Sequence, residues 1–323
     1  MKQLAEGWLQ LRTEYLDLCG LPLYLHAFAD SGGIVLLDSG VAGTPERSVR
    51  PELAQAGLDI ADIALVVNSH AHPDHMGGNS ALAAIADPVF AGPALEAGWL
   101  ESNELLIDEL WEPNPDALRL SEEERRELLG LLGGRPRVER LLRDGEQIAL
   151  ADARLQVIST SGHSPGHLAL ADPDRGLLFT FDDVQGAGVP IAHTDLHLAP
   201  LYHDVRRYRD GLRRLAATEF ELMLPSHGEP LPTEAAQARI AESLVFLDRA
   251  EEFVLDRLSG GDATTLAELA RGLGTDFGPY GGINLQTMSI AKAHLDDLTR
   301  RGLIRPLYRL STPNETPAED GNE

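Results

Sequence analysis

The sequence predicts an α/β protein with a helical insertion and a helical C-terminal module. Three observations carry that reading. In the first third of the chain, short apolar runs alternate with segments of helical spacing, as strands and helices do around one sheet. Between residues 92 and 142 the strand signals give way to leucines and tryptophan at helical intervals. Beyond Pro232, three helical segments follow one another without an intervening strand.

In chain order, residues 21–40 (LPLYLHAFADSGGIVLLDSG) read as two strands around a Ser-Gly-Gly turn, the second being the buried run 34–37. Residues 45–56 have helical spacing, and 62–69 (DIALVVNS) form an apolar strand that runs into a histidine-rich loop. Residues 77–86 open the next helix, and PVFAG is a short strand after it. Within the insertion, Leu105, Leu106, Leu110 and Trp111 recur at helical spacing and the Pro-rich break EPNPDA follows. SEEERRELLGLLG then opens on Ser121 as an N-cap ahead of Glu124. Strands return at EQIALAD, ARLQVIST, HLALAD and GLLFTF, and a helix over about 204–216 leads to the strand ELMLP. Residues 235–258 form one long amphipathic helix, 264–273 and 284–301 are shorter ones, and LIRPLYRL is a hairpin strand. Helix, helix, helix and β-wing is the order of a winged-helix module. The chain therefore divides into a large domain over 1–232, a winged-helix-like domain over 233–310, and a polar, Pro-rich tail over 311–323 expected to be disordered.

Composition limits the function classes. With 323 residues, 43% hydrophobic and 24% charged, the chain can bury a substantial core. Its formal net charge of −24 repels phosphate backbones, so nucleic acid is not an expected partner without a local basic patch. Lys2 and Lys292 are the only lysines. Cys19 is the single cysteine, which rules out an intrachain disulfide and a cysteine-based metal site. The N-terminal segment carries Glu and Asp where a signal peptide needs an apolar run, and no stretch has the length to span a bilayer. A cytoplasmic protein without a membrane partner is expected.

The strongest chemical signal is NSHAHPDHMGGN, which gives His70-x-His72-x-Asp74-His75 directly after an apolar strand. Imidazoles and carboxylates are the ligands a borderline divalent ion such as zinc prefers. A turning loop at a strand end can aim several of them at one or two ions, and Pro73, Gly77 and Gly78 supply the turns. Four potential ligands within six residues favour metal binding over a polar loop that merely caps a helix.

This motif resembles the hallmark of the metallo-β-lactamase superfamily. Three further stretches resemble that family's later motifs, in the same order: TSGHSPGH, LLFTFDD and LMLPSHGEP. The resemblance spans about residues 21–232 and implies an αββα sandwich. It also implies two divalent metal ions, zinc first and iron or manganese as alternatives. His70, His72 and His163 would hold the first, Asp74, His75 and His227 the second, and Asp182 would bridge them. Phe181 stands where the family commonly has glycine, and Asp183 follows immediately, so the bridging role falls to Asp182 by alignment with Asp183 as the alternative. Asp38, at the end of IVLLDSG, matches a recurrent aspartate that would orient the histidine loop, and His167 and Asp183 are expected to support the ligands. His193, His197, Tyr202 and His203 lie in a loop that commonly lines the family's substrate cleft, whereas Tyr208 is expected to pack its helix on the sheet.

The function so implied is a metal-dependent hydrolase, in which a metal-bridged hydroxide cleaves an ester, lactone or thioester carbonyl of a small-molecule substrate. Asp74 would also act as a proton shuttle. Two alternatives stand beside it. A lactamase-like protein group with a similar C-terminal module includes a mitochondrial endoribonuclease, which raises cleavage of single-stranded RNA. The helix over 284–301 offers no basic stripe for RNA, so the module is expected to pack on the catalytic domain or to mediate homo-oligomerisation. Iron-dependent persulfide handling is the other, although relatives of that kind use a reduced ligand set. The insertion around 105–111 reads either as a lid with an apolar underside or as a helix packed on its own domain or on a second copy.

Overall fold

The computed structural model describes residues 1–13, 21–113, 118–260 and 264–306. Cys19, the tail over 311–323 and the end of LIRPLYRL lie outside the described residues.

The chain opens with an antiparallel hairpin, β1 (Lys2–Ala5) and β2 (Trp8–Arg12), in a segment the sequence reading assigned to no element. β2 pairs with β3 (Tyr24–Asp30), which turns into β4 (Gly33–Leu37). A wide turn over Pro45–Val49 and α1 (Arg50–Gln55) then carry the chain back to β5 (Ile63–Val67), parallel to β4. The histidine loop follows with a single turn, α2 (Pro73–Met76), and then α3 (Asn79–Ile85) and β6 (Val89–Pro93). The insertion contributes α4 (Ala97–Glu101), α5 (Asn103–Leu106) continuing as a wide turn over Ile107–Trp111, and α6 (Glu122–Leu132). At its end the expected boundary needs correction. Arg140–Leu142 is β7, a strand parallel to β6, so the inserted part stops short of it. These seven strands form one sheet in sequential order.

The second sheet contains β8 (Gln147–Ala149), β9 (Arg154–Ser159), β10 (Leu168–Asp172) and β11 (Leu177–Phe181). A small ribbon of β12 (Val189–Pro190) and β13 (His197–Leu198) and the helix α7 (Val205–Ala217) lie between β11 and its parallel neighbour β14 (Leu222–Pro225). β15 (Leu231–Pro232) closes that edge. Three helices end the described chain: α8 (Thr233–Ser259), α9 (Leu266–Gly272) with a wide turn over Leu273–Phe277, and α10 (Leu285–Arg300).

The period-two alternation of the strands decides the layering. In β4, Val35 and Leu37 join a core with Leu168 and Leu170 of β10, while Ile34 and Leu36 pack with Val49, Leu53 and Leu82 on the other face. In β10, Ala169 and Ala171 face outward with Leu212, Ile240, Leu247 and Ile290. The order is helix, sheet, sheet, helix. Helices α8 to α10 share one continuous core with α7 and the outer face of the second sheet. The three expected C-terminal helices are present, but residues 303–306 form no strand, and the remainder of the expected wing lies outside the described residues. Among the described residues, no helix is long and apolar enough to cross a membrane.

Candidate metal centre

The site gathers at the ends of four strands. β5 delivers His70, His72, Asp74 and His75; β9 runs into the loop of His163; β11 ends beside Asp182; and β14 is followed by His227. Two groups of ligand-type side chains have atoms within 4.8 Å of one another: His70, His72, His163 and Asp182, and then Asp74, His75, Asp182 and His227. Asp182 belongs to both. Its Oδ2 lies 3.4 Å from His75 Nε2, 3.6 Å from His163 Nε2 and 3.3 Å from His227 Nε2. Asp74 Oδ2 lies 3.3 Å from His75 Nε2 and 3.2 Å from His227 Nε2.

Hydrogen bonds on the far side of each ring fix which nitrogen faces the cluster. His163 Nδ1 donates to the Leu201 carbonyl at 3.2 Å, and His227 Nδ1 to that of Pro22 at 2.9 Å. His75 Nδ1 donates to Asp38 Oδ2 at 2.8 Å. Ser69 donates its hydroxyl proton to Asp38 Oδ2 at 2.9 Å, so the 2.9 Å contact with His70 Nδ1 is a donation from the ring. All four rings thus turn Nε2 inward. His72 points its Nδ1 instead, 3.0 Å from His163 Nε2. Two basic nitrogens at that separation need a proton or a cation between them.

Burial sets the charge state. It holds His70 and His163 well below the usual imidazole range, and His72 at about 3, so these rings are neutral lone-pair donors. Burial opposes protonation of His75 too, but the carboxylates of Asp74, Asp182 and Asp38 outweigh it and push the ring well above its usual value. Burial likewise resists the charges on Asp74 and Asp182, and the adjoining His75 and His227 overcome it, holding both carboxyls well below the usual range. The interior nitrogens His70 Nε2 and His75 Nε2, with Asp182 Oδ1, are buried without a hydrogen-bond partner. An orphaned donor set of this kind, three imidazoles or two imidazoles and a carboxylate around a shared aspartate, fits divalent cations of the zinc type.

Asp182 and Asp183 are separated by backbone conformation. Phe181 adopts φ 47°, and the pairing of β11 with β14 shifts register there. This left-handed kink costs a residue other than glycine about 1–2 kcal/mol, and it turns Asp182 into the cluster. It also explains why glycine suits that position. Asp183 points away, its Oδ2 2.7 Å from His167 Nδ1. The Asp182 N–H faces His167 Nε2 at 3.4 Å, so His167 supports Asp182 from behind. Asp38, itself at φ 60°, also accepts from the Ser69 N–H at 2.7 Å and so fixes the loop through three contacts.

Glu96 escaped the sequence reading. It is 1% exposed, and its carboxylate accepts from the Ala71 N–H at 2.8 Å, the Gly166 N–H at 2.6 Å and the Ser164 hydroxyl. It therefore ties the loop of His70 and His72 to that of His163. Neither spacing nor residue type could identify it, because a lone Glu in a helical stretch looks like any solvated one. Asn68 is similar, donating from Nδ2 to the His75 carbonyl at 2.9 Å.

A narrow cleft of about 60 Å³ opens onto the cluster, walled by Val41, Pro73, Trp111, Leu198, Leu201 and Leu285 together with His72, Asp74 and His227. Of the four loop residues expected to face substrate, none lines this cleft, and Tyr202 requires correction. Tyr202 is fully buried in the core, stacked on Tyr208 with ring centres 5.0 Å apart, and its hydroxyl meets His294 Nε2 at 2.8 Å. His203 lines a different cavity. His193 is exposed, and His197 sits in the small ribbon opposite Pro190. Leu198 and Leu201 of the same loop take the lining role, since a buried loop face favours apolar side chains. In the insertion, Leu106, Ile107 and Leu110 are buried against Ala71 and Met76 of the histidine loop. The insertion therefore packs on its own domain, and among its described residues only Trp111 lines the cleft.

The sequence profile of the metallo-β-lactamase superfamily matches residues 24–227. A hydroxyacylglutathione hydrolase of Methylococcus capsulatus is 30% identical over 138 residues, 41% of this chain and 54% of that protein. The lactamase-like protein nscB of Arthroderma gypseum is 25% identical over 167 residues, 52% of this chain and 38% of its own length. The matched regions thus span at most about half the length of these relatives. Among solved structures, a metallo-beta-lactamase family protein from Thermus thermophilus superimposes with a TM-score of 0.72 at 22% identity, covering 92% of this chain and 95% of its own. A beta-lactamase domain protein from Burkholderia ambifaria gives 0.67 at 23% identity, covering 94% and 89%. These two likenesses concern the fold.

Proposed function

Because the chain belongs to the metallo-β-lactamase superfamily, we propose that it is a dinuclear metal-dependent hydrolase of a neutral ester, thioester or lactone carbonyl. His70, His72 and His163 would hold one divalent ion, Asp74, His75 and His227 the other, and Asp182 both. When bound in such a set, divalent ions supply Lewis acidity, lowering the pKa of water toward neutrality and polarising a carbonyl oxygen. Asp74 lies on the cleft wall and is held anionic by its histidine neighbours, which suits it to hold the proton that attacking water releases. Val41, Leu198, Leu201 and Leu285 exclude bulk water from the reacting carbonyl.

The observation that carries this reading is the pair of four-residue groups sharing one buried aspartate. The cleft wall supports a carbonyl substrate over RNA. No Lys or Arg lines it among the described residues, so a phosphodiester would meet no ammonium or guanidinium group there. The thioester arm draws on the similarity to hydroxyacylglutathione hydrolases.

The test is metal content and turnover measured together. Protein purified without added metal and then titrated should reach two zinc per chain, and ester or thioester hydrolysis should rise with occupancy. His72→Ala should lower both by at least tenfold. Hydrolysis of RNA with no turnover of any ester, thioester or lactone would overturn the reading, as would full activity in His72→Ala.

A further inference from the structure

A second cavity of about 240 Å³ lies beside the cleft, and Trp111 and Leu285 line both. The two spaces therefore adjoin where the insertion faces the first turn of α10. The second is walled by Leu110, Leu118, Met288 and Ala293. Its charged lining is small and net acidic: Lys292 is paired with Asp296 at 2.6 Å, and Glu109 stands nearby. An anionic ligand gains nothing there.

Two polar atoms of lining residues are buried without a hydrogen-bond partner, Trp111 Nε1 and His203 Nε2. Buried polar atoms are normally paired, so orphans in a cavity wall mark where a ligand's polar atoms can go. Their characters follow from the neighbours. Ser289 spends its hydroxyl proton on the Tyr202 carbonyl at 2.6 Å, so at its 3.4 Å contact with His203 Nδ1 the ring is the donor. Burial lowers the His203 pKa to about 4, and the ring is neutral. His203 Nε2 is accordingly an acceptor, while Trp111 Nε1–H can only donate.

Building on the carbonyl-hydrolase reading, we propose that this cavity is a substrate subsite. It takes an apolar substituent of the scissile ester or thioester and favours one bearing a hydroxyl group, which can accept from Trp111 or donate to His203.

The test is a substrate series from acetyl to octanoyl thioesters, with and without a hydroxyl on the chain, assayed as kcat/KM on the metal-loaded protein. Each added methylene should raise kcat/KM by about fourfold until the cavity is filled. A hydroxylated chain should gain roughly two- to tenfold over its parent. Leu118→Trp should bring the octanoyl-to-acetyl ratio down toward one, and His203→Phe should lower the hydroxyl preference while keeping the chain-length preference. Indifference to chain length in the unaltered protein, or an unchanged ratio in Leu118→Trp, overturns the proposal. If no thioester, ester or lactone is hydrolysed, the carbonyl reading fails instead. Fluorescence of N-phenyl-1-naphthylamine then judges the cavity alone: binding that Leu118→Trp abolishes supports an apolar subsite, and no binding, or equal binding by the variant, refutes it.

Discussion

Glu96→Gln isolates the support of the centre from the centre itself. The carboxylate serves Gly166 N–H and Ser164 on one oxygen and Ala71 N–H on the other. An amide has one oxygen, so in either orientation its NH2 faces a backbone N–H. One buried donor loses its partner, which costs about 1–3 kcal/mol, and the bond that remains is no longer charge-assisted. A loss of roughly 2–4 kcal/mol is expected from these terms. Because the two loops joined here carry His70, His72 and His163, metal affinity should also fall, by about 10–100-fold, the usual range for losing a group that orients ligands. Urea unfolding of the metal-free variant reads the first effect, and zinc competition against a chromophoric chelator reads the second. A variant equal to the parent in both would refute the claim that Glu96 joins the loops. Lower stability with unchanged zinc affinity would refute its positioning role.

The adjacent aspartates should separate in the same titration. Asp182→Asn removes a carboxylate common to both groups and should abolish binding of the second zinc, whereas Asp183→Asn, acting through His167, should weaken affinity without changing the number bound. Equal stoichiometry in the two variants would contradict the kink at Phe181 as the selector. His26 supplies a pH effect. It is fully buried, both ring nitrogens lack partners, and burial lowers its pKa from 6.5 to about 3. The unfolded chain therefore binds a proton that the folded one refuses between those values, so stability is lost as pH falls from 6.5 toward 3. Between pH 7 and 5 this amounts to about 2 kcal/mol. His26→Leu should remove that part of the decline in urea-unfolding free energy, and an unchanged slope would show that the ring finds a partner.

Much of the site is readable in the sequence because its ligands are chemically conspicuous and their order along the chain is distinctive. His70 to His75 cluster within six residues, and His163, Asp182 and His227 each end an apolar strand run. The layering was legible in part, since Ile34 to Leu37 and Leu168 to Asp172 announce buried strands by their length and apolarity. What escaped depends on through-space relations. The β1–β2 hairpin has a weak strand signal and is held by pairing with β3 and by Trp8 in the inter-sheet core. Tyr202 reads as a loop residue, yet α10 covers it from far along the chain. Glu96 is an acid among helical residues, and only folding shows that its partners are Ala71, Ser164 and Gly166. The choice between Asp182 and Asp183 turns on one backbone angle at Phe181, which composition does not encode.

Leu285 and Gln286, at the head of α10, form part of the cleft wall although every ligand has already been supplied by residue 227. Part of the cleft wall thus lies on a length of polypeptide that supplies no ligand. Drift in the last helix can retune which molecules gain entry while the catalytic apparatus stays intact. An engineer seeking a new specificity could randomise that turn first, with little risk to the ions.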